Sequence, residues 1–275
     1  MKIINLIENT KGQNNCLFEH GLSFYIETKK HKLLVDTGAS DAFIENAERL
    51  GIDLTKVDTV ILSHGHYDHT GGVLAFAKQN SQAKIYMQRK ASEEFYNVTA
   101  TPEKYIGIDK EILNLPQLVL LDGDCEIDEE LYLFANVTGR TLWPQGNQML
   151  KRKVGEEFVQ DDFSHEQYLV ITADTKRWLV SGCAHNGILN ILDHYRNLFG
   201  ANPYAVISGF HMRKKTEYTN QDDSIVQETA ERLKQMDTMF YTGHCTGEHP
   251  YELMKEILKE QLVYVHSGDC ITHVN

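Results

Sequence analysis

No Cys-x-x-Cys pair occurs in this chain of 275 residues, and its five cysteines, Cys16, Cys125, Cys183, Cys245 and Cys270, are scattered. An odd count without close pairs argues against a disulfide framework and fits free thiols in a reducing compartment. No run approaches the ~18 apolar residues of a membrane-spanning helix, and residues 1–15 lack the apolar stretch of a secretory leader. A soluble cytoplasmic protein is therefore expected. Cationic charge is also scarce, with 27 Lys and Arg against 39 Asp and Glu and a net charge of −12. Nucleic-acid binding is driven by Lys and Arg neutralising phosphates, so that balance argues against such a partner. There is no Gly-x-Ser-x-Gly elbow and no nucleotide-binding glycine loop, and the stretch from about 88 to 164 contains no repeat and no low-complexity tract.

What is present is a dense metal-ligand pattern. Residues 63–72 read Ser-His-Gly-His-Tyr-Asp-His-Thr-Gly-Gly, directly after the apolar run Val60-Ile61-Leu62. In an extended segment side chains alternate, so His64 and His66 face one side and can clamp one ion. Asp68 and His69 diverge in the following turn and can offer oxygen and nitrogen to a second ion. The local pattern therefore predicts a dinuclear site.

The rest of the chain supplies further ends of the same kind. Apolar strands finish in one or two small residues and then histidine at Val60–His64, Leu179–His185, Val206–His211 and Phe240–His244, and Leu34–Gly38 is a fifth case with Asp36. Small residues permit close backbone approach where strands finish. If these strands are neighbours, their ends converge on one edge of the fold.

Element patterning supports such a layout. Strands are expected at 2–7, 22–27, 32–35, 58–63 and 84–87, with helices over about 41–50, started by Ser40, and from Val73 to Lys78. From Tyr168 onward strands at 168–172, 178–181, 204–208, 239–242 and 262–266 alternate with helices near 187–199, 223–236 and 250–261. The first of those helices carries Ile188, Ile191, Leu192, Tyr195 and Leu198 on one face. Between about 88 and 164 the pattern weakens into short runs, such as Leu118–Leu121 and Leu131–Phe134, among prolines, glycines and acidic tracts. A lid or specificity insert is expected there, within a single domain spanning 1–275. Lys151, Arg152 and Lys153 read as a solvated loop.

His64, His66, Asp68 and His69 together form a His-x-His-x-Asp-His loop, and by it the chain resembles the metallo-β-lactamase superfamily. The motifs Glu19–Phe24, Asp36-Thr37-Gly38, Leu50–Leu54, Ser181–His185, Gly209-Phe210-His211 and Gly243–Gly247 extend the likeness to a subgroup similar to the dihydropterin-ribofuranosylaminobenzene-phosphate synthases. The resemblance implies a four-layer αββα sandwich of the α/β class with a two-metal site at one edge. It further implies that His64 and His66 hold the first ion with a third histidine, that Asp68, His69 and His244 hold the second, and that a carboxylate or thiolate bridges them. Where an aspartate often follows Ser181-Gly182, this chain has Cys183. Three residues compete to complete the first ion: His185, favoured by the subgroup, His165 and Cys183. Cys245 is read as packing beneath the site.

Two divalent ions would lower the pKa of a water shared between them from 15.7 toward ~7, giving hydroxide at neutral pH. The expected protein is thus a metal-dependent hydrolase of a small ester, lactone or phosphate-bearing metabolite, with Asp68 also accepting the proton of the attacking water and His211 donating to substrate. Histidine with carboxylate suits zinc first, and also manganese or iron. An intact His66, where oxygen-reducing di-iron relatives carry glutamate, favours hydrolysis over redox chemistry. A catalytically silent binding protein of the same fold and an RNA-processing nuclease are the competing readings; the complete ligand set opposes the first and the acidic charge the second. Asp36 would orient a ligand histidine or cap a turn, His20 would reach the cleft mouth, and Arg213, Lys214 and Lys215 would hold an anionic group or form an exposed turn. His31, His194, His249, His266 and His273 read as structural or solvated.

Overall fold

The computed structural model describes residues 1–99 and 101–272. The N-terminal half contributes β1 (Lys2–Ile7), β2 (Ser23–Glu27), β3 (Lys32–Val35), β4 (Thr59–Ile61) and β5 (Lys84–Gln88), with helices α1 (Ala42–Arg49), α2 (Tyr67–Thr70) and α3 (Val73–Gln79). The middle holds β6 (Phe95–Asn97), β7 (Lys104–Tyr105), β8 (Leu118–Leu121), β9 (Cys125–Glu126), β10 (Leu131–Phe134), β11 (Leu150–Val154) and β12 (Glu157–Gln160). Then come β13 (Tyr168–Ala173), β14 (Lys176–Val180), α4 (Ile188–Phe199), β15 (Ala205–Ile207), α5 (Asn220–Lys234), β16 (Met239–Thr242), α6 (Glu248–Leu258), β17 (Leu262–Tyr264) and β18 (Cys270–Thr272).

Two seven-stranded sheets form the centre, in the orders β18-β1-β2-β3-β4-β5-β8 and β17-β16-β15-β14-β13-β10-β9. Both faces of their central strands are covered, which is why these strands are apolar throughout instead of alternating with polar residues. Leu33, Val35 and Ile61 meet Trp178, Val180 and Ile207 of the other sheet. On the outer face of the first sheet, Leu34 and Val60 pack with Phe43 and Ala47 of α1 and Val73 and Phe76 of α3. On the outer face of the second, Leu179 and Val206 pack with Ile191 and Leu192 of α4, Ala230 of α5 and Met254 of α6. The result is the expected αββα sandwich.

β3, β4, β5 and β8 run parallel, as do β14, β15, β16 and β17. In open α/β sheets the loops leaving the carboxyl ends of parallel strands build the ligand site, and here those loops carry Asp36, the histidine loop, Cys183–His185, His211 and His244. Element boundaries lie within a few residues of those the patterning predicts. α5 starts earlier than expected because Thr219 and Asp222 close a capping box ahead of it. Leu198, expected on the buried face of α4, is 41% exposed.

The segment 88–164 does not form one insert. Within it β8 pairs with β5 in the first sheet, and β9 and β10 extend the second. Two pieces remain, and they build a separate small sheet in the order β12-β11-β6-β7. Lys151, Arg152 and Lys153 therefore lie on a strand, and Arg152 pairs with Glu93 at 2.8 Å. Phe95, Ile106, Leu150 and Phe163 form the apolar contact between this small sheet and the sandwich edge.

Candidate metal centre

The loop after β4 starts with Ser63, whose backbone N–H and Oγ–H both donate to the Asp36 carboxylate at 2.7 Å. It then turns through α2, with His66 at the residue before the helix and Asp68 and His69 within it. His64 and His66 do share one side, their ring centroids 4.6 Å apart. His185 closes a triangle with them, at 4.9 Å from His64 and 4.8 Å from His66. The Nε2 atoms of all three are buried and have no hydrogen-bond partner. Buried polar atoms are almost always partnered, so three orphans on rings this close together mark a candidate place for an ion.

Tautomers can be assigned from neighbouring groups. Ser63 Oγ–H donates to Asp36 and so accepts from His64 Nδ1–H at 2.8 Å. Asn147 gives its amide N–H to the His185 carbonyl at 2.7 Å, leaving its oxygen to accept from His185 Nδ1–H at 2.9 Å. Asn9 does the same for His244, with 3.2 Å to the carbonyl and 2.9 Å to Nδ1. Asp36 Oδ2 accepts from His69 Nδ1–H at 2.6 Å. Each of these four rings therefore points an Nε2 inward, the arrangement that fixes metal-binding histidines.

Beside this cluster the Nε2 atoms of His69 and His244 are 3.2 Å apart, and Asp68 Oδ2 is 3.7 Å from the former and 3.5 Å from the latter. Two ring nitrogens so close need a positive charge between them, a proton in the bare pocket or a cation in the loaded one. Burial works against protonation of His69, but Asp36 and Asp68 hold it up to about 9. Burial, reinforced by neighbouring imidazoles, pushes His64, His66, His185 and His244 well below the usual histidine range. Neutral imidazole is the form that binds a metal.

His165 is not an open ligand. Its Nδ1 accepts from the Gly65 N–H at 3.0 Å and its Nε2 faces Asp161 at 3.1 Å, so both nitrogens are used. It groups with His66 and Asp161, and its ring lies against Phe95 with centroids 4.1 Å apart. The tight trios of candidate ligand atoms at the main site are His64, Cys183 and His185; His69, Cys183 and His244; Cys183, His211 and Cys245; and His20, Asp68 and His244.

His211, half-buried, lies with its ring 4.0 Å from that of His185, and its Nδ1 is buried without a partner. His20 reaches the mouth, 3.4 Å from Asp68, and stacks on His244. Of the basic cluster, Lys214 is taken by Asp222 at 2.5 Å. Arg213 is exposed, anchored by its N–H to the Cys245 carbonyl at 2.9 Å, and has no ion-pair partner among the described residues. The histidines read as structural are so: His31 bridges Asp58 and Asp128, His249 meets Asp223, His266 meets Asp269, and His194 stacks on Phe134. His273 lies outside the described residues.

Sequence reasoning missed the groups that hold the late histidines. Glu166, buried, accepts from the backbone N–H groups of His185 at 2.7 Å and Asn186 at 2.9 Å and from Tyr168 Oη at 2.5 Å. Glu8, also buried, accepts from the backbone N–H of His244 at 3.0 Å. Burial pushes both carboxyls up. Glu8 and Asn9 lie over 230 positions from His244, and nothing in their local sequence marks them. Gly182 and Gly209 gave a signal: a Cβ on Gly182 would sit 2.2 Å from Ser63 Oγ, and one on Gly209 2.4 Å from Cys245 Sγ.

Residues 17–238 match the Metallo-beta-lactamase superfamily. Among similar proteins is the 7,8-dihydropterin-6-methyl-4-(beta-D-ribofuranosyl)-aminobenzene-5'-phosphate synthase of Methanocaldococcus jannaschii, 29% identical with 98% of this chain and 96% of that one covered. An uncharacterized protein of the same organism, MJ0448, is 27% identical over 97% of this chain and 98% of its own. A crystal structure of Tm1679, described as a metal-dependent hydrolase of the beta-lactamase superfamily, superposes with a TM-score of 0.83 at 28% identity over the whole of both chains.

Proposed function

The chain belongs to the metallo-β-lactamase superfamily, and on that footing we propose that it is a hydrolase working through two divalent ions on a small metabolite bearing an ester, lactone or phosphate group. The observation that carries this reading is the cluster of His64, His66 and His185, whose rings lie within 4.6 to 4.9 Å of one another and whose Nε2 atoms are all buried and unpartnered. In it these three hold the first ion, and Asp68, His69 and His244 hold the second. Zinc suits such a nitrogen-rich set, with manganese and iron as the other candidates. When bound, such ions supply Lewis acidity and a water acidic enough to ionise near neutral pH.

The chain's own groups do the rest. Asp68 has a second oxygen free to accept the proton of the attacking water. His211, its ring 4.0 Å from that of His185 and its buried Nδ1 unpartnered, donates to the substrate. Arg213, free of carboxylates among the described residues, is suited to a phosphate. The name of the archaeal relative includes a 5'-phosphate, which supports that class. Phe95 and Phe163, packed against the His66 ring at 5.8 and 6.4 Å, keep water from the back of the site.

The test is to load wild type with zinc or manganese and screen phosphodiester, lactone and thioester substrates beside a His66→Ala variant. Turnover of at least one class by wild type alone is expected. Equal, background rates for both proteins across the panel would remove the hydrolase reading.

A further inference from the structure

The loop between β1 and β2 is fastened to the site on both sides of His20. Glu19 accepts from the Ala39 N–H at 2.9 Å, the Ser40 N–H at 3.1 Å and the Ser40 hydroxyl at 2.7 Å. Leu22 donates its N–H to the Asp68 carbonyl at 3.1 Å, and its own carbonyl accepts from the Gly38 N–H at 2.9 Å. Between them Gly21 passes so close that a Cβ there would sit 2.7 Å from the Ala39 nitrogen and 2.9 Å from the Asp68 carbonyl oxygen. His20 is thus delivered by backbone tied directly to the turn that carries Asp68, and a group held in place beforehand loses less freedom on binding.

A histidine whose side chain is 51% exposed is ordinarily solvated or substrate-facing. Spacing argues for more. His20 Nε2 lies 3.4 Å from Asp68 Oδ2, beyond the N–H···O range of about 2.7–3.2 Å. It matches instead the separation of about 3.3–3.4 Å between two ligand atoms on a tetrahedral ion with bonds of about 2.0 Å. The neighbouring separations are of the same size, 3.5 Å from Asp68 Oδ2 to His244 Nε2 and 3.2 Å between the Nε2 atoms of His244 and His69. His20, Asp68 and His244 accordingly form one tight trio of ligand atoms.

Ring positions agree. Two imidazoles bound through Nε2 to one tetrahedral ion have centres about 5 Å apart. The centroids of His20 and His244 are 5.3 Å apart and those of His69 and His244 4.9 Å, beside 4.6–4.9 Å within the cluster of His64, His66 and His185.

We infer that His20 is a fourth protein ligand of the second ion, completing a set of three imidazoles and one carboxylate with Asp68, His69 and His244. This rests on the two-ion reading above and deepens it. Neutral imidazole binds through the Nε2 lone pair, so no proton is released. Catalytic sites need a position open to substrate. Asp68, His69 and His244 are 7%, 0% and 1% exposed, so His20 is the ligand that a substrate oxygen displaces, closing the site when it is empty and opening it on binding.

Zinc is the probe, added to the metal-free full chain and titrated against a chromophoric chelator, with carbethoxylation of each histidine by diethyl pyrocarbonate followed by peptide mass mapping. Two zinc ions per chain are expected to slow modification of His20 about tenfold or more, because a coordinated nitrogen has no free lone pair. His249 and His266, with side chains 45% and 42% exposed and no part in either ion set, should react as before. His20→Ala should hold one ion as wild type does and the other about tenfold or more weakly, one ligand of four being lost. Unchanged modification of His20 in wild type carrying two zinc ions, or wild-type affinity for both ions in His20→Ala, overturns the assignment and leaves the hydrolase reading intact. Wild type that binds fewer than two zinc ions overturns the two-ion reading and this assignment together. Protection is read on the wild-type chain, so it decides even if the variant fails to fold.

Discussion

Asn147 and His185 grip each other twice: the asparagine N–H donates to the histidine carbonyl at 2.7 Å, and the histidine Nδ1–H donates to the asparagine oxygen at 2.9 Å. One side chain from the turn before β11 thereby sets the tautomer and the angle of a ring delivered by the loop after β14. Removing such an outer partner characteristically costs about 10–100-fold in metal affinity. Asn147→Ala is expected to fall in that range when zinc is titrated against a chromophoric chelator, while Asn147→Asp, which can still accept from Nδ1, loses less. Unchanged zinc affinity in Asn147→Ala would show that the ring is held by packing on Phe163, 4.5 Å away, instead.

Glu166 satisfies several buried donors at once, among them the N–H groups of His185 and Asn186 and the Tyr168 hydroxyl. Each donor left unpaired costs about 1–3 kcal/mol. Glu166→Ala should destabilise the protein by 3 kcal/mol or more on that scale, with Glu166→Gln intermediate because one oxygen remains. Denaturant unfolding of the three proteins checks the order, and a fully stable alanine variant contradicts it.

Gly182 lies where β14 ends against the loop after β4. A methyl group there would meet Ser63 Oγ at 2.2 Å and Asp36 Oδ2 at 3.1 Å, the pair that orients His64 and His69. Gly182→Ala is expected to cost about 1–3 kcal/mol by overpacking and also to weaken metal retention. If a thermal melt shows the stability loss with zinc retention unchanged, the clash has been relieved away from the histidines.

Acidity should act strongly on the chelator-stripped protein. Burial lowers His64, His66, His185 and His244 well below 6.5, so as pH falls the unfolded chain takes up protons that the native pocket refuses. Stability therefore drops below about pH 6.5, each such group contributing about 1.4 kcal/mol per pH unit. His69 runs the other way. Although burial opposes it, Asp36 and Asp68 hold it up to about 9, so its contribution is whole below about 6.5 and fades as pH rises toward 9. An unfolding midpoint that peaks near neutrality, steep on the acid side and shallow on the alkaline side, is expected. A midpoint flat between pH 5 and 7 would contradict it.

Arg213 gives a kinetic prediction. With substrates of the phosphate class, Arg213→Ala should raise KM about tenfold or more, the cost of losing a charge-assisted contact of 1.5–3 kcal/mol, with kcat little changed. Lys214→Ala should do much less, because that ammonium is already committed to Asp222. Equal effects from both substitutions would assign the basic cluster to long-range steering.

The sequence by itself determined the layers and most of the candidate ligands. Both faces of the central strands are buried, so they read as continuous apolar runs, and the histidine loop is local enough for spacing alone to show which side chains point together. The strand-end pattern located His185, His211 and His244 because each needs small residues beside it. Only the tertiary structure separated His165, whose ring nitrogens are both engaged, from His185, whose Nε2 is left unpartnered. That choice depends on which ring nitrogens other groups already occupy, and the partners, Asp161, Asn147 and Asn9, come from segments far apart in the chain. It also divided the 88–164 segment, where β8 and β10 are ordinary sandwich strands that pair with β5 and β13. Burial, likewise, is a property of the assembled edge: the orphaned Nε2 atoms exist only once strands from both sheets have brought their ends together and excluded water.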